Sequence, residues 1–343
     1  MPPKKRVTIY DLARELGVSA SYISRALNNH PSISEKVKER VKKVSLELNY
    51  KHNSHAANLR QGSSKTIGVI VPHINHSFFS EAIAGIEEVC FENNHSLVIC
   101  QSHESFEQEC KAVDTLIHQN VDCILISVSA ETQSYVHLEN ITAHNIELIQ
   151  FDRCIDHVKG FKVSNDNRET SYNVAKALFS QRYTKVAFLG GPSHTAIFRQ
   201  RKEGFLMALE EAGLSIPYNY IVEDILPKEK AKETAKKLLS SKEPPDAFFT
   251  VSDHQSLGVL EVAESMNIKV PDQLGIFGFA NEAFAELIRP SLSSVDQKSK
   301  ELGKRAAQIY FENMSAENEP DINTQEEFIK CAIIIRQSST RIH

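Results

Sequence analysis

From Thr66 onward, short apolar runs alternate with stretches of helical periodicity, and this alternation constrains the fold more than any other feature. The runs fall at residues 67–71, 97–100, 123–127, 147–151, 186–189, 247–251 and 276–279, each only four or five residues long. Apolar runs of that length predict strands buried on both faces, and helical segments between them let such strands lie parallel. The segment from Thr66 through Gly85 and Ile86 to Ile99 recurs in outline from Lys185 through Gly204 and Phe205 to Ile216. Two such units predict an α/β body of two Rossmann-like parallel-sheet subdomains, with ligand binding beyond the carboxyl ends of the strands.

The first sixty residues are of another kind. They carry 12 Lys and Arg against 5 Asp and Glu, a net +7, whereas the remainder carries 27 against 39, a net −12. A basic head on an acidic body predicts that the head alone meets a polyanion. Within it, Thr8 precedes a helical pattern with Ile9, Leu12, Ala13 and Leu16 on one face, Asp11 stands three residues on, and Gly17 closes the helix. Ser19 caps a second helix from Ala20 to about Leu27, with Val18, Ile23 and Leu27 turned inward. Asn28-Asn29-His30-Pro31 breaks the chain, and Ser34 caps a third helix with Val37, Val41, Val44 and Leu48 as its stripe. Two short helices joined by a glycine-containing turn read as a helix-turn-helix. The second helix leaves Ala20, Ser21, Ser24 and Arg25 outward, small residues followed by a planar fork suited to guanine in the major groove. Periodicity alone fits both this reading and a plain three-helix bundle with a solvated face.

The order of residues goes further. The run VTIYDLARELGVSASYISRALN at residues 7–28, continued through Glu47 to Tyr50, resembles the headpiece of the LacI/GalR repressor family without a gap. The resemblance implies that Ala20, Ser21 and Arg25 occupy base-reading positions, and that Thr8, Tyr10, Ser19, Asn28 and Ser34 position phosphates or cap helices. Residues 51–63 resemble the family's hinge helix. Leu59 then matches the leucine that wedges into the minor groove, and Ala56 the small residue beside it. His52 stands where many relatives have proline, and Ala57 where many have arginine.

In the body, the residues just past the predicted strand ends are the candidates for a ligand site. They are Asn75, Phe78, Phe79, Ser127, Asp152 and Arg153 in the first half, and Arg199, Arg201, Ser252, Asp253, Asn281 and Glu282 in the second. Hydroxyls, carboxylates and guanidinium groups around an aromatic shelf suit a polyhydroxylated molecule such as a sugar. The body also resembles the family's periplasmic-binding-protein-like core, which carries ligand positions onto Phe78, Phe79, Ser127, Asp152, Arg201 and Ser252. Ala280 stands where well-known members place an effector-binding aspartate, and Leu226 falls near a usual aromatic position.

Enzyme readings find little support. Ser252-Asp253-His254 has triad residue types, but neighbours in sequence cannot take up triad geometry, and no G-x-S-x-G occurs. Gly190-Gly191-Pro192 lacks the G-K-[ST] of a phosphate-binding loop. His52/His55 and His73/His76 have metal-like spacing without a carboxylate or cysteine close by to complete a set. Six scattered cysteines, no leader pattern and no long apolar run predict a reduced, cytoplasmic protein without membrane attachment.

The expectation is therefore a homodimeric transcriptional repressor with no cofactor and no metal, which binds pseudo-palindromic double-stranded operator DNA under control of a small-molecule effector. The alternative is a small-molecule-binding protein without a regulatory role. The expected division is 1–50 for the headpiece, 51–63 for the hinge, 64–163 with 293–321 for one core subdomain, and 164–292 with 322–343 for the other. Crossings between subdomains are expected near Val163, residues 290–297 and Ile322. A dimer is expected because only eight residues follow the last predicted strand, 328–335.

Overall fold

The computed structural model describes residues 7–50, 63–315 and 325–341, and the chain divides into two units, Met1–Ser64 and Lys65–His343. Among its described residues the first holds three helices, α1 (Ile9–Leu16), α2 (Ala20–Leu27) and α3 (Glu35–Glu47). The backbone N–H and hydroxyl of Thr8 both donate to the Asp11 carboxylate, at 2.8 and 2.7 Å, which fixes the entry to α1. Gly17 closes the helix at a φ of 67°. The Ser19 hydroxyl then accepts the Tyr22 N–H at 3.2 Å and starts α2. Leu12, Ala13, Ile23, Ala26, Ile33 and Val41 form the core.

Two inward positions differ from the expectation. Val18 lies in the turn ahead of α2, so it is 36% exposed, and Ala26 takes the inward place on the helix. On α3, Lys38 and Ser45 are buried beside Val41. Lys38 pairs with Glu35 at 2.6 Å, and the Ser45 hydroxyl bonds back to the Val41 carbonyl at 2.7 Å. The expected hinge, with Ala56 and Leu59, falls on residues 51–62, outside the described residues.

The second unit is built on two parallel sheets. The first runs in the order β2 (Ser96–Gln101), β1 (Thr66–Val71), β3 (Cys123–Ile126), β4 (Glu147–Phe151), β5 (Phe161–Asn165) and β11 (Glu326–Ile329). Alternate residues of β1 go to opposite faces. Ile67, Val69 and Val71 meet α4 (Ser77–Glu92) and α12 (Ser299–Ser315), while Ile70 meets α5 (Phe106–His118) and α6 (Val136–Ala143). The second sheet runs β7 (Ile221–Val222), β6 (Val186–Leu189), β8 (Ala247–Thr250) and β9 (Gly275–Phe277). Phe188 and Phe249 pack on α7 (Asn167–Ser180) and α8 (Ala196–Glu211), whereas Leu189 and Phe248 pack on α9 (Lys228–Leu239) and α10 (Asp253–Ser265). Strands covered on both faces are what the continuous apolar runs require.

The repeat seen in sequence has a packing basis. A Cβ at Gly85 on α4 would collide with the Lys300 carbonyl on α12, and one at Gly204 on α8 with the Arg168 carbonyl on α7. In each half a glycine lets two helices touch backbone to backbone at the corresponding place.

Backbone pairing moves the expected boundaries. Val163 lies inside β5, which pairs with β4 and β11, so residues 164–165 stay with the first sheet. Strand β10 (Ser294–Asp296) pairs antiparallel with β12 (Ala332–Ile334), and Ser293 bridges Phe277 of β9, so residues 293–296 stay with the second half. The single terminal strand expected at 328–335 is two strands, of which β11 belongs to the first sheet; the crossing expected near Ile322 falls at Lys330 and Cys331. Three crossings result, and Asn165 joins them. Its amide donates to the Gln297 and Ile329 carbonyls, both at 2.9 Å, and accepts from the Gln297 amide at 3.0 Å.

Candidate functional site

On the first unit, Ser21 and Arg25 are exposed on α2, with Ala20 and Ser24 half-buried beside them. No carboxylate among the described residues lies within ion-pair distance of Arg25. Thr8, Tyr10 and Ser19 are exposed around the amino ends of α1 and α2, Asn28 stands at the carboxyl cap of α2, and Ser34 at the amino cap of α3. Tyr10 is an aromatic left 70% exposed on the amphipathic α1, a placement that a solubility argument alone does not explain.

In the second unit a cavity of about 330 Å³ lies between the carboxyl ends of β1, β4, β8 and β9. Eight of the twelve residues expected there line it: Phe78, Phe79, Asp152, Arg153, Arg201, Ser252, Asp253 and Glu282. Four do not. Asn75 is exposed outside it. Ser127 is buried behind Asp152, donating to its carboxylate at 3.1 Å. Arg199 faces solvent and pairs with Asp156 at 3.1 Å. The Asn281 side chain turns away to accept from Arg336 at 2.9 Å, because both Ala280 and Asn281 hold positive φ and reverse the chain there.

The cavity mixes strong hydrogen-bonding groups with aromatic faces. Arg201 donates to the Asn167 side-chain carbonyl at 2.8 Å and to the Val251 carbonyl at 2.9 Å, and no carboxylate among the described residues lies within ion-pair distance of it. Burial lowers its pKa to about 10, partly offset by the nearby Asp152 charge. Arg153 is held by both oxygens of Glu104, at 3.0 and 2.7 Å. Burial raises the Asp152 carboxyl despite the two neighbouring guanidinium groups. Burial also raises Asp253, to about 7, although Ser294 and the Glu282 amide both donate to it.

Sequence reasoning missed a group of imidazoles. His76 and His254 stack at 4.7 Å, and His73 lies 5.0 Å from His76 and 5.8 Å from His103. Burial, then the neighbouring His254 and His73, lowers His76 to about 4, so His76 is uncharged at neutral pH. The spacing of His73 and His76 was visible, but their meeting with His254 needs the two halves brought together. Among the described residues no group of three His, Cys, Asp or Glu side chains is placed to hold a metal ion, and no helix is long and apolar enough to cross a membrane.

Comparison with known proteins agrees with this architecture. Residues 8–53 match the family model of bacterial regulatory proteins, lacI family, and residues 175–339 match a periplasmic binding protein-like domain. The chain is 33% identical over 299 residues to the HTH-type transcriptional regulator DegA of Bacillus subtilis (strain 168), covering 87% of this chain and 88% of that protein. It is 30% identical over 308 residues to the HTH-type transcriptional repressor PurR of Vibrio parahaemolyticus serotype O3:K6 (strain RIMD 2210633), covering 90% and 92%. The crystal structure of the lac repressor dimer bound to operator and the anti-inducer ONPF superposes with a TM-score of 0.83 at 20% identity, over 98% of this chain and 100% of that one. The chain belongs to the lacI family of bacterial transcriptional regulators, with a helix-turn-helix DNA-binding unit followed by a periplasmic-binding-protein-like core.

Proposed function

We propose that the protein is a cytoplasmic repressor that binds a pseudo-palindromic operator as a homodimer and is controlled by a small molecule in the cleft of its core. The observation that carries the effector reading is the cavity at the strand ends of both sheets, where Arg201 and Asp152 stand among the faces of Phe78, Phe79, Phe198 and Phe279. Forked donors, carboxylate acceptors and flat apolar faces together suit a sugar or a related polyhydroxylated metabolite. The operator reading rests on the exposed Ser21 and Arg25 of α2, with Thr8, Tyr10, Ser19, Asn28 and Ser34 around them, and on relatives whose names include repressors and an operator-bound dimer. Leu59 and Ala56 are assigned to the minor groove by the family resemblance alone.

The described residues of the core divide into one subdomain of 65–165 with 298–315 and 325–329, and another of 166–296 with 331–341. Both oxygens of Asp253 are already engaged, and the Ser252 hydroxyl accepts the Gln255 N–H at the start of α10. Ser252, Asp253 and His254 are therefore assigned no catalytic role.

Selection of binding sites from random duplexes tests the regulator reading, with gel shifts on the enriched sequence with and without a panel of sugars and nucleobases. Enrichment of a two-fold symmetric site and its release or tightening by one ligand are expected. Failure to enrich any sequence favours the alternative, a binding protein without a regulatory role. Leu59→Ala is expected to reduce both specific affinity and DNA bending, and unaltered bending would remove the wedge role.

A further inference from the structure

We propose that Asp253 and Glu282 form a latch that holds the cleft closed without any ligand, Glu282 being a positioning residue between the two halves. Glu282 follows β9 in the second half. Its backbone N–H donates to the Asp253 carboxylate at 2.8 Å, and the other Asp253 oxygen accepts from the Ser294 hydroxyl at 2.7 Å. The Asp253 N–H in turn donates to the Phe279 carbonyl at 2.9 Å. The turn that carries Glu282 is thus held at both ends, and each Asp253 oxygen already holds a partner from the chain itself.

The Glu282 carboxylate then reaches across the cleft. It accepts the backbone N–H of Ser77, the first residue of α4 in the other half, at 3.1 Å. His76, the residue at the cap of α4, gives that helix no side-chain hydrogen bond, so the partner comes from the opposite subdomain. A carboxylate at a helix amino end also faces the positive end of the helix dipole. Beside it the rings of His76 and His254, one from each half, stack at 4.7 Å and close the same edge of the cavity.

Among the described residues two other hydrogen bonds cross the cleft, His194 to the Ala130 carbonyl at 2.8 Å and Arg199 to Asp156 at 3.1 Å. Both are made by exposed side chains, where water competes for the His194 bond and an ion pair such as Arg199–Asp156 contributes little. The Glu282 contact is part-buried, with Glu282 itself only 6% exposed. All four contacts are made between parts of the chain itself. A ligand therefore acts on a balance between open and closed forms that this latch has already biased towards closed. The proposal holds whatever molecule the cleft takes.

The test compares the full chain, free of ligand, with Glu282→Ala and with Ser77→Pro. Proline is tolerated at the first position of a helix, and it removes the N–H that Glu282 accepts together with the Ser77 hydroxyl. Thermal melts first establish that each variant is folded. The readouts are the radius of gyration from small-angle X-ray scattering and amide exchange in residues 128–131 and 78–80. Both variants are expected to be more extended, with exchange faster by about tenfold or more at those segments. Glu282→Gln, whose carbonyl still accepts from Ser77, is expected to stay near the wild type. A radius and exchange pattern unchanged in a folded Ser77→Pro chain would overturn the latch, as would equal opening in Glu282→Gln and Glu282→Ala.

Discussion

The guanidinium carbon of Arg201 lies 3.6 Å from the centre of the Phe279 ring, face to face on one wall of the cleft. This pairs a residue of α8 with one just beyond β9, and it fixes the fork of Arg201 in a single plane. A desolvated contact of this kind is worth about 2 kcal/mol. Arg201→Lys keeps the charge but loses the flat face and gathers its donors on one nitrogen, where Arg201 uses two separate nitrogens for Asn167 and Val251. A loss of roughly 1–3 kcal/mol in urea denaturation is expected, with operator affinity unchanged, since the substitution lies in the core. Equal stability of the two proteins would argue that the stack contributes nothing.

Asp253 predicts a pH dependence of stability. Burial raises its carboxyl to about 7, whereas in the unfolded chain it titrates near the ordinary value of about 3.9. Between those values the native state holds a proton that the unfolded state has released. Stability therefore falls as pH rises from about 4 to 7, by up to about 1.4 kcal/mol per unit from this group. Below that window the group contributes no slope, and above it the full loss is present. Asp253→Asn should melt at a lower temperature at pH 5, because one of its two accepted hydrogen bonds is lost. Its stability should fall less steeply between pH 5 and 7 than that of the wild type, and parallel pH profiles would count against a raised Asp253.

Gly85 and Gly204 predict a matched pair of effects. A methyl group on either would meet a carbonyl oxygen of the neighbouring helix, backbone that cannot rotate aside. Gly85→Ala and Gly204→Ala are each expected to cost about 1–3 kcal/mol, although alanine favours helix in isolation. Gly213, with no heavy atom near its missing Cβ but a φ of 62°, is a control for conformational strain alone. Chemical denaturation of the three variants separates crowding from backbone preference.

Arg25 predicts a change of specificity in the first unit. It is exposed on α2 with no ion pair among the described residues, so its fork is free for a base edge. Arg25→Ala is expected to cost about 1–3 kcal/mol in operator binding and to relax preference at one base pair. Substituting each base of the selected site in turn measures this. A uniform loss across all sequences would make Arg25 a phosphate contact instead.

The strands of the core were legible because they are short apolar runs, buried on both faces in 186–189 and almost wholly so in 147–151, whereas 97–100 forms the half-exposed edge strand β2. Strand β5 was not, since Phe161-Lys162-Val163-Ser164-Asn165 mixes polar and apolar residues and draws its place from β4 and β11 on either side. Residues of the cleft separated in the same way. Phe78, Phe79, Asp152 and Arg201 follow from their positions after strand ends, whereas Arg199 occupies a similar address, two residues earlier on α8, and points to solvent. Helix phase, not sequence distance, divides those two.

By itself the sequence determined the kinds of elements, the basic head with its caps at Thr8 and Ser19, and the doubled α/β unit marked by Gly85 and Gly204. These depend on interactions within a few residues, or on periodicity that solvent imposes on any helix or strand. Tertiary structure alone decided that Glu282 reaches Ser77, that His76 meets His254, and that β11 joins the first sheet while β12 joins the second half. The Glu282, His254 and β11 contacts each join segments more than 160 residues apart, and β12 pairs with β10, 36 to 40 residues before it. Their partners are chosen by how distant segments and finished halves come together, which no local pattern of polarity encodes.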